Sequence, residues 1–226
     1  MARKIPLEIK SDILLSVEDR LFTEINKKDS PEKIAERFNN ILSEEFSKER
    51  KLKDDRYNLP LIFVGQYKIN SDNPTETLLY SSVGHGCSPI PLDSKVSIIA
   101  RCVETGDPQH IPDVSKDSSH WECDAKAMAE EVYPILSEKP YSKDPYRGYY
   151  AVVGVFDIDF SQKNALDERE SRELERICKP YGNLIFPDEP KSVPNKKIFT
   201  IRPVSRRFIK PAGSYIPSIR KNTFAN

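Results

Sequence analysis

Long apolar runs are scarce in this 226-residue chain. The longest are stretches such as Leu61–Val64, far short of the ~20 residues a membrane helix requires. The first ten residues, MARKIPLEIK, contain no apolar h-region, so a signal peptide is not expected and a cytoplasmic address is. Cysteine and histidine are also few. Cys87, Cys102, Cys123 and Cys178 are 15, 21 and 55 residues apart and form no CxxC pair, and the three histidines are scattered at 85, 110 and 120. That spacing gives no zinc motif, so no bound metal is expected. Cytosolic thiols rest reduced, so any disulfide here would be transient and catalytic, or redox-sensing. Finally, acidic residues are absent from Lys191 to Asn226, where nine Lys and Arg stand alone. The whole chain sums to zero, so residues 1–190 carry nine excess negative charges.

A composition of 38% hydrophobic and 31% charged residues is that of a globular protein, long enough for one domain with extensions or two small ones. The basic segment holds Pro194, Pro203, Pro211 and Pro217, which disfavour a helix and favour an extended arm. Such an arm can pack on its own acidic body or on a dimer partner; contact with nucleic acid is the less favoured reading.

Apolar residues at Leu7, Ile9, Ile13, Leu14, Val17, Leu21 and Ile25 follow a 3.6 repeat and predict a helix over 7–27. Ser30-Pro31 caps a second helix running to about residue 50. A polar break over 51–57 precedes strands at 59–69 and 77–83. A helix at 95–104, closed by Gly106, is followed by an irregular stretch from 107 to about 128. Strands at 130–136 and 149–160 flank a polar loop at 137–147. A helix at 164–179, with Leu166, Leu174, Ile177 and Cys178 inward, is expected to stop at Pro180. The pattern is α+β: an antiparallel sheet with helices on one face, an N-terminal helical extension (1–55), a central domain (56–186) and a basic proline-containing tail (187–226). Loops as long as 107–128 are usually functional or disordered, and this one holds Trp121, Cys123 and Asp124.

Three segments carry chemistry: Gly84-His85-Gly86-Cys87, His120-Trp121-Glu122-Cys123-Asp124, and Val153-Gly154-Val155-Phe156-Asp157-Ile158-Asp159. Alternation sends Asp157 and Asp159 to one sheet face. Two carboxylates there are tolerable if the face lines a wet pocket or a cation lies between them; alternatively the strand simply runs out into solvent. His85 and His120 flank the two cysteines and are either aids to thiol ionisation or ordinary loop residues. Cys102 and Cys178 read as core packing.

These segments resemble the GAF domain family, in particular its free methionine-(R)-sulfoxide reductase branch. The matching stretches are Cys87-Ser88-Pro89-Ile90-Pro91, Ile111-Pro112-Asp113-Val114, His120-Trp121-Glu122-Cys123-Asp124, Glu130-Glu131-Val132-Tyr133-Pro134 and Gly154-Val155-Phe156-Asp157-Ile158-Asp159. The resemblance implies a GAF-like sheet, Cys123 as the attacking cysteine and Cys87 as the resolving one. It implies Glu130, Asp157 and Asp159 as substrate-binding and proton-donating carboxylates, and Phe63 and Tyr67 as the cage for the methyl-sulfoxide end. Phe63 replaces the family's Trp, and Ser97 replaces a further cysteine. Also implied are a homodimer, free methionine sulfoxide as substrate, no bound cofactor, and an external thiol reductant such as thioredoxin. A thiolate is the nucleophile for the sulfoxide sulfur, and clustered carboxylates raise one another's pKa toward that of a usable acid. Ser97 and the long extensions instead suit a non-catalytic GAF-type small-molecule-binding or sensory module.

Overall fold

The computed structural model describes residues 5–52, 55–137 and 152–187. The basic tail beyond 187, most of the polar loop at 137–147 and the first residues of the strand expected from 149 lie outside them. Helices α1 (Leu7–Glu24) and α2 (Pro31–Ser47) come first. The first stops three residues short of expectation because Ile25 is extended and the Asn26 side chain accepts from Lys28 N–H at 3.0 Å, making a local turn that competes with the helix. The second begins as its sequence indicates: the Ser30 side chain accepts from Lys33 N–H, and Pro31 occupies the first turn.

The polar break at 51–57 is in fact part of a small hairpin, β1 (Arg50–Leu52) with β2 (Asp55–Tyr57). Its anchor is Arg50, whose guanidinium reaches Glu45 Oε2 at 2.7 Å and Asp12 Oδ2 at 2.9 Å. A charged residue serving as an anchor leaves no apolar alternation to read.

The remaining strands are β3 (Leu61–Ile69), β4 (Glu76–Val83), β5 (Ile90–Pro91), β6 (Gln109–Ile111), β7 (Ala129–Leu136) and β8 (Val152–Phe160). They form one antiparallel sheet in the order β5-β4-β3-β8-β7-β6. The edge strands β5 and β6 are two and three residues long, too short to show a period of two; β6 falls within the stretch expected to be irregular, and β5 in a segment with no predicted element. Helix α3 (Ile98–Thr105) starts later than expected because Ser97 is its N-cap, and Gly106 closes it in the left-handed region at φ 69°, as expected.

Helix α4 (Glu168–Ile185) runs through Pro180 rather than stopping there. Pro180 removes one helical hydrogen bond. The turn beyond it is held by packing: the Tyr181 ring lies 5.7 Å from Phe38, and Phe186 lies edge-on to Tyr80. The start of α4 also moves, to Asp167, whose carboxylate accepts from Arg169 and Glu170 N–H in a capping box.

Helices α1, α2 and α4 cover one face of the sheet, with Ile13, Val17, Phe38, Ile41, Phe156, Phe160, Leu174 and Cys178 in one core. The buried pair Lys10–Glu170, at 2.8 Å, joins α1 to the start of α4. On the opposite face a smaller apolar group holds Phe63, Tyr67, Ile98, Cys102, Val132 and Val155. Alternation along β8 makes the division: Phe156, Ile158 and Phe160 go to the helical face, and Val155, Asp157 and Asp159 to the other. Cys102 and Cys178 are both fully buried, in keeping with core packing.

Truncating Phe38, which touches both Phe156 and Tyr181, should cost about 3–5 kcal/mol in urea unfolding. Phe22→Ala, at a ring 81% exposed on α1, should stay within about 0.5 kcal/mol of wild type.

Candidate functional site

Register brings the acids together. Asp159 sits across from Glu130 on one side and from Phe63 on the other; Asp157 sits across from Val132 and Gly65. Directly opposed residues on antiparallel strands have Cβ atoms about 5 Å apart. Glu130, Asp157 and Asp159 each contribute an oxygen to a group within 4.8 Å of one another. They are 6%, 6% and 8% exposed. Among the described residues no Lys or Arg lines their cavity, whose walls include Phe63, Tyr67, Ser97, Ile98, His120 and Cys123.

Isolated buried carboxylates lose hydration that nothing here replaces. Burial pushes Asp157 up to about 7, against hydrogen bonds from Glu130 and from the Ile158 N–H. Burial also raises Glu130 and Asp159 well above the carboxylate range, with the Asp157 charge adding to both. The closeness of Glu130 and Asp157 works in the same direction, since two neighbouring carboxylates disfavour each other's charge. Tyr67 is held neutral by burial and by the three acids.

The neighbouring Glu131 is a useful contrast. It points to the other face and is equally buried, but it accepts from Ser171 Oγ at 2.6 Å and Tyr133 Oη at 3.2 Å and lies 2.6 Å from His110 Nδ1. Asp157 Oδ1 and Asp159 Oδ1, by comparison, have no hydrogen-bond partner. Glu131 is thus a satisfied structural acid, and the triad is a set of acceptors facing a cavity.

Two loops supply the cysteines. The segment after β4 turns at Gly84, where φ is 94°. At Gly86 an added Cβ would lie 2.9 Å from Tyr67 Oη and closer still to the Phe63 ring, so only glycine lets the loop pass over that ring pair. The loop between β6 and β7 is pinned to α3 by Arg101. Its guanidinium reaches Asp117 Oδ2 at 2.7 Å, Ser119 Oγ at 2.9 Å and Gln109 Oε1 at 2.7 Å. The Arg101 hydrogen bond holds Asp117 down at about 2. With both loops so placed, Cys87 and Cys123 are joined by a disulfide, their Cα atoms 5.4 Å apart, within the usual range for such bonds.

The residues to which the resemblance assigns roles, Cys87, Cys123, Glu130, Asp157, Asp159, Phe63 and Tyr67, fall on or beside one cavity. His120 joins them, its Nε2 3.7 Å from Glu130 Oε2. Burial lowers the His120 pKa and raises that of Glu130, which disfavours an ion pair between them. His85 is exposed and does not line the cavity. Sequence reasoning overlooked Arg101 and the first turn of α3; the Arg101–Asp117 pair spans 16 residues, a separation with no periodic signal. Ser97 lines the cavity while its Oγ accepts from Ala100 N–H at 3.2 Å.

No family model and no curated protein matches the chain. Solved structures do. The free methionine-R-sulfoxide reductase of Neisseria meningitidis, in complex with its substrate, is 17% identical over 82% of this chain and 95% of that one, with a TM-score of 0.57. The Staphylococcus aureus free methionine-R-sulfoxide reductase in its reduced form is 22% identical over 82% and 99%, with a TM-score of 0.55. A putative GAF sensor protein from Burkholderia vietnamiensis is 18% identical over 80% and 95%, also at 0.55. The fold is the GAF fold, shared by catalytic and sensory proteins alike. No helix among the described residues is long and apolar enough to cross a membrane.

The triad makes stability depend on pH. Asp157 rises from an ordinary 3.8 to about 7 on folding, so its contribution is complete below about pH 4 and is lost as pH climbs through 7. Asp157→Asn should therefore unfold at a higher temperature than wild type, by a margin that widens from about pH 5 to pH 8. A constant margin across that range would show that the cluster is not the source.

Proposed function

We propose that the protein is a thiol-dependent oxidoreductase that reduces free L-methionine-(R)-sulfoxide to methionine. The observation that carries the reading is a disulfide between Cys87 and Cys123 set beside a cavity with three buried carboxylates and, among the described residues, no Lys or Arg. A pure binding module has no need of a paired redox couple there.

In this cycle the Cys123 thiolate attacks the sulfoxide sulfur. The oxygen passes to the cysteine as a sulfenic acid, and methionine leaves with two electrons gained. The Cys87 thiol then attacks the sulfenic sulfur, forming the disulfide and releasing water. An external dithiol, thioredoxin-like, reduces the disulfide and is itself oxidised, so no bound cofactor is required. The carboxyl cluster supplies the proton the oxygen needs; Asp157, at about 7, is matched to neutral pH. The same acids suit the α-ammonium of a free amino acid, and the Phe63–Tyr67 pair, ring centroids 6.2 Å apart, suits its methyl end.

The disulfide-bonded form has a cavity of about 20 Å³, roughly room for one water molecule. On this reading it is the state after catalysis, and substrate enters the dithiol form once the Cys123 loop is released. A homodimer and a cytoplasmic address go with the reading. A second reading, a non-catalytic small-molecule-binding module, draws support from Ser97, which stands as a helix cap where the resemblance has a further cysteine.

With thioredoxin or dithiothreitol as reductant, the R epimer of free methionine sulfoxide should be consumed and the S epimer left. Cys123→Ser should abolish turnover. Cys87→Ser should still release one methionine per chain in a single turnover but stall with thioredoxin. Glu130→Gln should lower kcat/KM by about 10²-fold, and kcat should decline above pH 7 as Asp157 loses its proton. A folded wild-type protein inert with both reductants would favour the binding module.

A further inference from the structure

We propose that in the disulfide-bonded protein Glu130, Asp157 and Asp159, with His120 at the rim, form a site for one monatomic divalent cation of the manganese or zinc class. The proposal does not depend on the reductase reading.

Three observations carry it. First, the geometry is close to that of a ligand set. One oxygen from each acid lies within 4.8 Å of the others, and even an equilateral triangle of that side has its centre only about 2.8 Å from each corner (4.8/√3). Bonds from carboxylate oxygen to such ions are about 2.0–2.2 Å, so side-chain rotations of less than an ångström close the site. The acids stand on adjacent β-strands, which hold their Cα atoms fixed while χ angles adjust. Second, Asp157 Oδ1 and Asp159 Oδ1 are buried with no hydrogen-bond partner, on side chains more than nine-tenths buried. Lone pairs left bare inside a protein point to a positively charged occupant, and no Lys or Arg among the described residues lines the cavity to provide one. Third, the size selects among cations. About 20 Å³ admits an ion or a water molecule and excludes a free amino acid.

The donor set narrows the choice further. His120 Nε2 lies 3.7 Å from Glu130 Oε2, outside the group of three oxygens within 4.8 Å of one another, and a rotation of its ring would add one imidazole nitrogen to the three carboxylates. Nitrogen with oxygen suits manganese, iron or zinc, whereas magnesium and calcium prefer oxygen alone. Cys87 and Cys123 are tied to each other and offer no thiolate in this state. An ion here would occupy the place of any ammonium group drawn to the same acids, so the two exclude one another, and the metal would hold the oxidised form closed.

The test is a Mn²⁺ titration of the disulfide-bonded full chain, without substrate, read by loss of the free-ion paramagnetic signal and by thermal unfolding. One equivalent should bind with a Kd well below about 1 mM, and the unfolding temperature should rise. Asp159→Asn and Asp157→Asn should each weaken binding by about tenfold or more; exchanging a buried carboxyl for an amide of the same shape does not threaten their folding, and far-UV circular dichroism checks it. His120→Ala should weaken Mn²⁺ binding while leaving Mg²⁺ unaffected. L-Methionine, too large for the closed cavity, should leave the bound Mn²⁺ in place. No saturable binding below about 1 mM, or equal binding by the Asp157→Asn/Asp159→Asn double variant, would overturn the proposal. Failure of the reductase assay beside successful Mn²⁺ binding would remove the enzyme reading and leave the cation site standing.

Discussion

Three carboxylates share one buried cavity with no Lys or Arg among the described residues to neutralise them, and much else in the structure answers to that constraint. Charged acids so placed would repel and lack hydration, so burial and mutual repulsion favour their protonated forms. The cost must be met elsewhere, and the opposite face of the sheet is where apolar burial is greatest: three helices close over Phe156, Ile158 and Phe160, the residues that alternate with the acids along β8. The strand that bears the least favourable groups is thus also the strand most firmly packed on its other side.

The cysteines depend on a different kind of restraint. Both sit on loops, and loops do not hold two sulfur atoms together without help. On one side the help is steric, since Gly84 and Gly86 let the chain turn back across Phe63 and Tyr67. On the other it is electrostatic, since Arg101 on α3 holds Asp117 and Ser119. Neither anchor touches the sulfur atoms, yet both determine where the two thiols meet. The acids stand on strands of the sheet and the cysteines on loops, so the sheet carries one half of the site and the disulfide-joined loops the other.

Much of this was legible in the sequence where the signal was local. The Ser30-Pro31 cap, Gly106 at the end of α3 and the inward face of α4 were read correctly because each depends on a few adjacent residues. The hairpin at 50–57 was not, because its anchor is the Arg50 guanidinium rather than an apolar period. Strands β5 and β6 were too short to display one. Pro180 misled for the opposite reason: a real local penalty was outweighed by the packing of Tyr181 and Phe186, which no window of sequence displays. Among site residues, Arg101 and the first turn of α3 gave no sign, since their partners are distant in the chain.

By itself the sequence determined that Asp157 and Asp159 share a face, because side chains on a strand alternate with a period of two whatever the strand pairs with. It also determined, through resemblance, which cysteines and acids to watch. Only the tertiary structure decided that Glu130 stands across from Asp159, that two oxygens of the cluster lack partners, that Glu131 one residue away is fully satisfied, and that Cys87 lies against Cys123. Those facts are matters of strand register and loop closure, which bring together residues tens of positions apart. A sequence lists such residues without stating the distance between them.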